Sequence, residues 1–390
     1  MPASFALLNL GFRPFFLLAG LYALLAVVAW AGVYTLGWQW PYTEMSALTW
    51  HAHEMIYGYA LAVIAGFLLT AVKNWTGVQT LHGMPLLLLC LAWLAARFLL
   101  LAGNAVPLYW AALADGLFNL ALTVAVTWPI VKVRQWQQLG IVSKLLLLAC
   151  ANALFYAGLL GLFPGGVRAG LYSGVYLVMA LVFVMARRVL PFFIERGVER
   201  PVTLVNRVWL DRTSLVLFLV FWLADILWPD TLAVALLAAV LGVLHGMRLV
   251  GWYTRGVLGK PLLAVLLLGY GWLVVGFALK AAVPLTGISP SLALHAFTYG
   301  GIGLFTLGMM ARVTLGHTGR SVQHPPAVVG WALRALLAGA AVRVLLPLLD
   351  PHHYPWWVGL AQLLWVAAFA LWLAVYLPMW LRPRIDGQPG

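Results

Sequence analysis

An all-α, polytopic transmembrane helix bundle is the fold class this sequence predicts, and three observations predict it. Hydrophobic residues make up 64% of the 390-residue chain and charged residues only 8%, outside the balance of soluble globular domains. Apolar runs of roughly 20 residues, the length a helix needs to cross a ~30 Å hydrocarbon core, recur from one end to the other. No alternating apolar and polar pattern points to a barrel, and lipid offers no partner to open backbone groups, so the spans are helices.

About twelve spans follow in order. Residues 12–37 form the first, closed by the loop "GWQWPYTEMSA", which lacks Lys and Arg; 48–72 form the second, closed by Lys73. The third, 84–102, carries Arg97 near its end and leads through "AGNAVP" into the fourth, 107–131, with Asp115 early in it. Lys132, Arg134 and Lys144 surround the start of the fifth, 139–161, and Arg168 opens the sixth, 167–191, which ends in basic residues. After the polar loop "ERGVERPVTLVNR" come 211–228 with Asp225, the loop "WPDT", 231–252 with His245, and 260–284 with Lys280. The last three are 289–313, 326–349 with Arg343, and 355–380, the final two joined by "LDPHHYP". Basic residues crowd alternate loops and the tail, at Arg382 and Arg384, so the positive-inside rule puts both termini in the cytoplasm. The expected organisation is a single integral membrane domain over 1–390, with halves 1–195 and 205–390 that no convincing sequence repeat relates.

Composition also excludes several classes. The net charge of +13 is spread singly through loops, which fits membrane orientation rather than nucleic-acid binding. Cys90 and Cys150 lie inside spans and form no CxxC or CxxCH motif, so neither a disulfide framework nor a covalently attached haem is expected. The N-terminus lacks a signal-peptide cleavage site, so the first span is expected to stay in the mature chain.

Ionisable residues inside a membrane face a bundle interior or an aqueous cavity, and here they gather toward the outer half. The second span enters near Leu48, which puts His51 and His53 within roughly 4–8 Å of the outer boundary at 1.5 Å rise per residue. The tenth span puts His295 at a similar depth. Glu54, Arg97, Asp115, Asp225 and Arg343 lie in the same half, so a polar outer pocket with metal-ligating histidines is expected, against a blander account in which Arg97 pairs with Asp115 or Asp225 and the histidines sit at headgroups. Glu54 stands at i, i+3 from His51 and Tyr57 on an α-helix, which makes Glu54, Tyr57 and, in the tenth span, Tyr299 candidates for proton transfer. A second set, His245 with Arg248 one turn on, and His317 past the tenth span, lies toward the cytoplasm. His82 and His324 read as loop histidines, and His352 and His353 as an outer-loop pair. Without useful Cys, imidazole ligands suit haem iron and copper, and Arg13, Arg97, Arg248 and Arg343 are candidates to hold haem propionates.

Four separated stretches, "GFRPFFLLAG" at 11–20, "WHAHEMIYGYALAVIAGFLLTAVKNWTG" at 50–77, "MRLVGW" at 247–252 and "ALHAFTYGGIGLFTLGMMARVTLGHTGR" at 293–320, together resemble the NnrS family. The resemblance covers essentially the whole chain. It implies a haem- and copper-containing multi-pass protein of the bacterial inner membrane, associated with denitrification and nitric oxide resistance. Its motif residues fall on Arg13, His51, His53, Glu54, Lys73, Asn74, Trp75, His245, Arg248, His295, Arg312, His317 and Arg320. Where relatives often read "LHLGY" in the ninth span this chain reads "LLLGY", so Leu267 excludes any ligand role there. The expected function is to bind nitric oxide at haem b, beside copper, and either reduce it or shield other metal centres, with an electron donor the sequence does not name. The alternative is a secondary transporter of a small molecule or metal ion.

Overall fold

The computed structural model describes residues 6–388. Among them there is no strand, and twelve long helices follow one another. They are α1 Phe12–Tyr34, α2 Ala47–Thr76, α3 Gly83–Leu101, α4 Leu108–Lys132, α5 Leu139–Leu159 and α6 Gly166–Gly197. Then come α7 Val208–Leu227, α8 Leu232–Trp252, α9 Pro261–Thr286, α10 Pro290–His317, α11 Ala327–Val344 and α12 Tyr354–Leu381. Eleven are long and apolar enough to cross a membrane. The twelfth, α7, is set apart by charge, with Asp211, Arg212 and Asp225 within its 20 residues. The chain is therefore a multi-pass membrane protein of helical class.

The helices start and stop where backbone groups are capped rather than where hydropathy falls. Ser46 accepts from Thr49 N at 3.0 Å to open α2, and Ser289 accepts from Ser291 N at 3.3 Å to open α10. Gly77 and Gly287 close α2 and α9 in the left-handed region, at φ +69° and +72°, where a Cβ would be strained. For this reason α2 continues past Lys73 to Thr76; α6 likewise runs through Pro191 to Gly197 instead of ending near 191, and α10 reaches His317 rather than 313. Polar heads at helix ends reach back toward water without breaking the hydrogen-bond ladder.

Two helices depart from α geometry. Glu54–Ala60 in α2 and Ala296–Gly303 in α10 are wound as π-helix. These are also the most buried spans: 78% of the apolar stretch of each is buried, against 33–44% for most others.

The chain divides into two compact units. The first comprises 1–178, 313–320 and 372–390, the second 179–312 and 321–371, so α6, α10 and α12 each contribute to both. In the first unit, glycines let α5 and α6 cross closely: a Cβ on Gly158 would stand 2.3 Å from Val167 N, and one on Gly170 2.6 Å from Ala151 O. Small residues at such crossings replace the hydrophobic drive that lipid removes.

Candidate functional site

In the first unit, the start of the π-helical stretch of α2 anchors a buried ion network. His53, Glu54 and Asp115 are 0% exposed and Arg97 is 2% exposed. His53 Nδ1 meets Glu54 Oε1 at 2.7 Å, and its Nε2 meets Asn152 Oδ1 at 2.8 Å with Asp115 Oδ2 at 3.5 Å. Arg97 bridges the carboxylates, with Nε 3.2 Å from Glu54 Oε2 and Nη2 2.6 Å from Asp115 Oδ1. Tyr22 donates its hydroxyl to Glu54 Oε2, and Tyr156 donates to Asp115 Oδ2 at 2.9 Å. Two carboxylates thus share one guanidinium, with an imidazole and two phenols completing the network. Both nitrogens of His53 are engaged, so in this arrangement the ring offers no lone pair to a metal.

The partners of Glu54 differ from those its sequence spacing indicates. Glu54 turns to its neighbour His53 and to α1 and α3, rather than to His51 and Tyr57, because the π winding replaces the i, i+3 faces assumed for an α-helix. His51 instead stacks on Trp30, ring centres 4.8 Å apart at 10°. Tyr57 donates to Gly170 O at 2.7 Å. Arg97 does pair with Asp115, while Asp225 belongs to the second unit and meets Lys280 at 2.7 Å. Also in the first unit, Arg13 is buried and its Nη1 donates to the carbonyls of Met379, Trp380 and Arg382 at 2.8–3.1 Å, closing the end of α12. His317 lies at the end of α10, its Nε2 3.5 Å from Asn74 Nδ2.

The second unit holds two further constellations. On α8, His245 is 1% exposed, its ring stacked between Phe183 at 4.1 Å and Phe277 at 5.5 Å. Its Nδ1 lies 2.5 Å from Tyr270 Oη, while its Nε2 is buried with no hydrogen-bond partner. Arg248, one turn on, donates to Tyr270 Oη at 3.0 Å, to Ser214 Oγ at 2.9 Å and to Asp211 Oδ1 at 2.9 Å. His245 and Arg248 line a cavity of about 320 Å³ walled by Phe183, Leu215 and Phe218, with Arg187 and Arg212 also on its wall. This volume falls at the lower end for small-molecule sites. Beside it, a second cavity of about 570 Å³ shares Asp211 and Arg248 with the first.

The other constellation joins α10, α11 and α12. His295 Nδ1 lies 2.8 Å from Ser291 O, and its Nε2 is 3.4 Å from Arg343 Nη2. Tyr299 donates to Ala361 O at 2.8 Å, as Tyr57 does to Gly170 O. That correspondence exposes a pattern passed over in the sequence. His53, Tyr57, Gly58, Gly66, Thr76 and Gly77 recur, at identical spacing, as His295, Tyr299, Gly300, Gly308, Thr318 and Gly319. Both π-helical stretches begin on the residue after the histidine.

Among the expected site residues, then, His53, Glu54 and Arg97 come together in one unit, and His245 with Arg248 and His295 with Arg343 in the other. Tyr22, Asn152, Tyr156, Tyr270, Ser214 and Tyr354 join them from distant helices, and nothing local in the sequence marks those six. Among the described residues, no group of three or more His, Cys, Asp or Glu side chains is gathered to hold a metal ion.

Fold and site thus define a class: a multi-pass helical membrane protein with buried histidine–arginine constellations in both units. The family profile described as "NnrS protein" matches residues 6–384, and the chain belongs to the NnrS family. A comparison with curated proteins returned no match.

Proposed function

We propose that this chain is a haem-binding protein of the bacterial inner membrane that takes up nitric oxide, with His245 as the residue that would hold the iron of haem b. The observation that carries this reading is the buried Nε2 of His245, without a hydrogen-bond partner, on the wall of a largely apolar cavity that Arg187, Arg212 and Arg248 also line. A buried polar atom left unpaired costs about 1–3 kcal/mol, which a bond to iron would remove. Ligation at Nε2 requires the tautomer in which Nδ1 donates to Tyr270 Oη, the kind of supporting hydrogen bond that orients a ligand imidazole. Phe183 and Phe277 hold the ring plane, and the arginines suit propionates by charge and by forked geometry. When bound, the haem supplies an iron that takes a small apolar gas able to reach it through lipid.

Copper finds no comparable donor set among the described residues, so the proposal assigns it no ligands. Transport draws no support from the helices, since α2 and α10 pass through their π-helical stretches without a break. Whether bound nitric oxide is reduced or only held, a role in nitric oxide resistance during denitrification fits the family.

The test is a reduced haemochrome spectrum with metal analysis on the purified protein. One haem or more per chain is expected, lost in His245→Ala and retained in His82→Ala. Haem-free wild type, or full haem content in His245→Ala, would overturn the assignment.

A further inference from the structure

Arg343, late in α11, is 7% exposed and forms no ion pair among the described residues. Its Nη2 donates to Tyr354 Oη at 3.0 Å and to Ser291 Oγ at 3.2 Å, and lies 3.4 Å from His295 Nε2. Its Nη1 is buried with no hydrogen-bond partner. A guanidinium held this deep in a membrane protein ordinarily has an anionic partner, because desolvating an unpaired charge is costly.

The recurring histidine pattern shows where the charge is missing. In the first unit, the residue after the histidine is Glu54, and its carboxylate pairs with Arg97. In the second, the matching residue is Ala296. Arg343 therefore has the histidine but no carboxylate, and its neighbours are two hydroxyls and an imidazole. Ser291 and His295 are half-buried, so the constellation is reachable from the N-terminal end of α10.

We propose that Arg343, His295, Ser291 and Tyr354 form a binding site for a small monovalent oxyanion or carboxylate, which takes the place Glu54 fills beside Arg97. A planar anion accepts from the forked guanidinium, with Nη1 as its free donor, and from the two hydroxyls. This site is separate from the cavity of His245 and does not depend on haem being bound there.

The experiment uses full-length protein in detergent, titrated with sodium nitrate or sodium formate while the thermal unfolding midpoint is followed, with sodium chloride as control. Ligand binding to the folded state raises the midpoint saturably. Nitrate and formate are expected to do so and chloride much less. Arg343→Gln should weaken the apparent affinity by about ten- to hundred-fold, the loss expected for charge-assisted hydrogen bonds. Tyr354→Phe and Ser291→Ala, which keep the charge, should weaken it several-fold, so the test survives if Arg343→Gln folds poorly. Haem content should be unchanged in Arg343→Gln. A wild type with no saturable shift, or an affinity unchanged in the Tyr354 and Ser291 variants, would overturn the site. Loss of haem from Arg343→Gln would also overturn it, by making a propionate the counter-ion.

Discussion

Glu54 divides one carboxylate among an imidazole, a phenol and a guanidinium, none of them more than slightly exposed. In such a site, removing one partner is worse than removing all the charges, because what remains is a charge without water or counter-ion. Arg97→Met is therefore expected to destabilise the protein by about 3–5 kcal/mol. Adding Glu54→Gln and Asp115→Asn to that variant should recover most of the loss. Unfolding by a denaturing detergent, followed by tryptophan fluorescence, compares the three proteins. A triple variant no more stable than Arg97→Met would mean that the network contributes by shape rather than by charge balance.

The π-helical stretches act at the scale of the element. Each lets the helix turn a histidine and a tyrosine toward different neighbours, and each is packed through glycines against an adjoining helix. A Cβ on Gly58 would stand 2.7 Å from the Tyr22 ring, and one on Gly300 2.6 Å from the Trp272 ring. The carbonyl of Gly58 also accepts from Trp93 Nε1 at 3.1 Å, which satisfies a backbone group in the widened turn. Gly58→Ala and Gly300→Ala are each expected to cost about 1–3 kcal/mol through overpacking, whereas Gly116→Ala, where nothing lies within 4 Å, should be neutral or better. Gly58→Ala should disturb the Glu54 network while leaving unchanged the haem content proposed for the His245 site. Thermal midpoints and haem content, measured together on the three variants, separate these outcomes.

For the whole molecule, the distribution of basic loops makes a topological claim. Cysteines placed at Thr43 and at Thr203, both exposed, are expected to react with an impermeant thiol reagent from opposite sides of the membrane, after Cys150, which is also exposed, is changed to Ser. Labelling of both from one side would refute the twelve-span orientation. The C-terminal tail is tied down outside the spans: Arg384 grips Asp386 with contacts of 2.9 and 2.6 Å and donates to His317 O at 3.2 Å. The Arg384 hydrogen bond holds the Asp386 carboxyl down at about 2. A depressed carboxylate contributes stability that is present above its ordinary value and is lost as pH falls through about 2, so the clasp should be intact across neutral pH. Asp386→Asn is expected to speed proteolysis of the tail at pH 7, and equal cleavage rates would leave the clasp without a role.

Helix number and the all-helical class were legible in the sequence alone, because crossing a bilayer forces about 20 apolar residues into a self-satisfied backbone and allows few alternatives, whereas the far ends of α2, α6 and α10 and the π winding inside α2 and α10 were not. Composition likewise marked His53, Glu54, Arg97, His245, Arg248, His295 and Arg343 as costly residues needing partners. It did not name those partners. Asp115 and Asn152 reach His53 from α4 and α5, and Tyr270 reaches His245 from α9; such meetings depend on helix packing, to which local pattern is blind. Spacing misled where the backbone left α geometry, as at Glu54, whose expected face was computed for a turn the chain does not make. Tertiary structure alone decided that one arginine beside a repeated histidine is neutralised by two carboxylates and the other by none. The physical reason is that charge compensation is settled by side chains from separate helices meeting in a place without water, a property of the packed bundle rather than of any one segment.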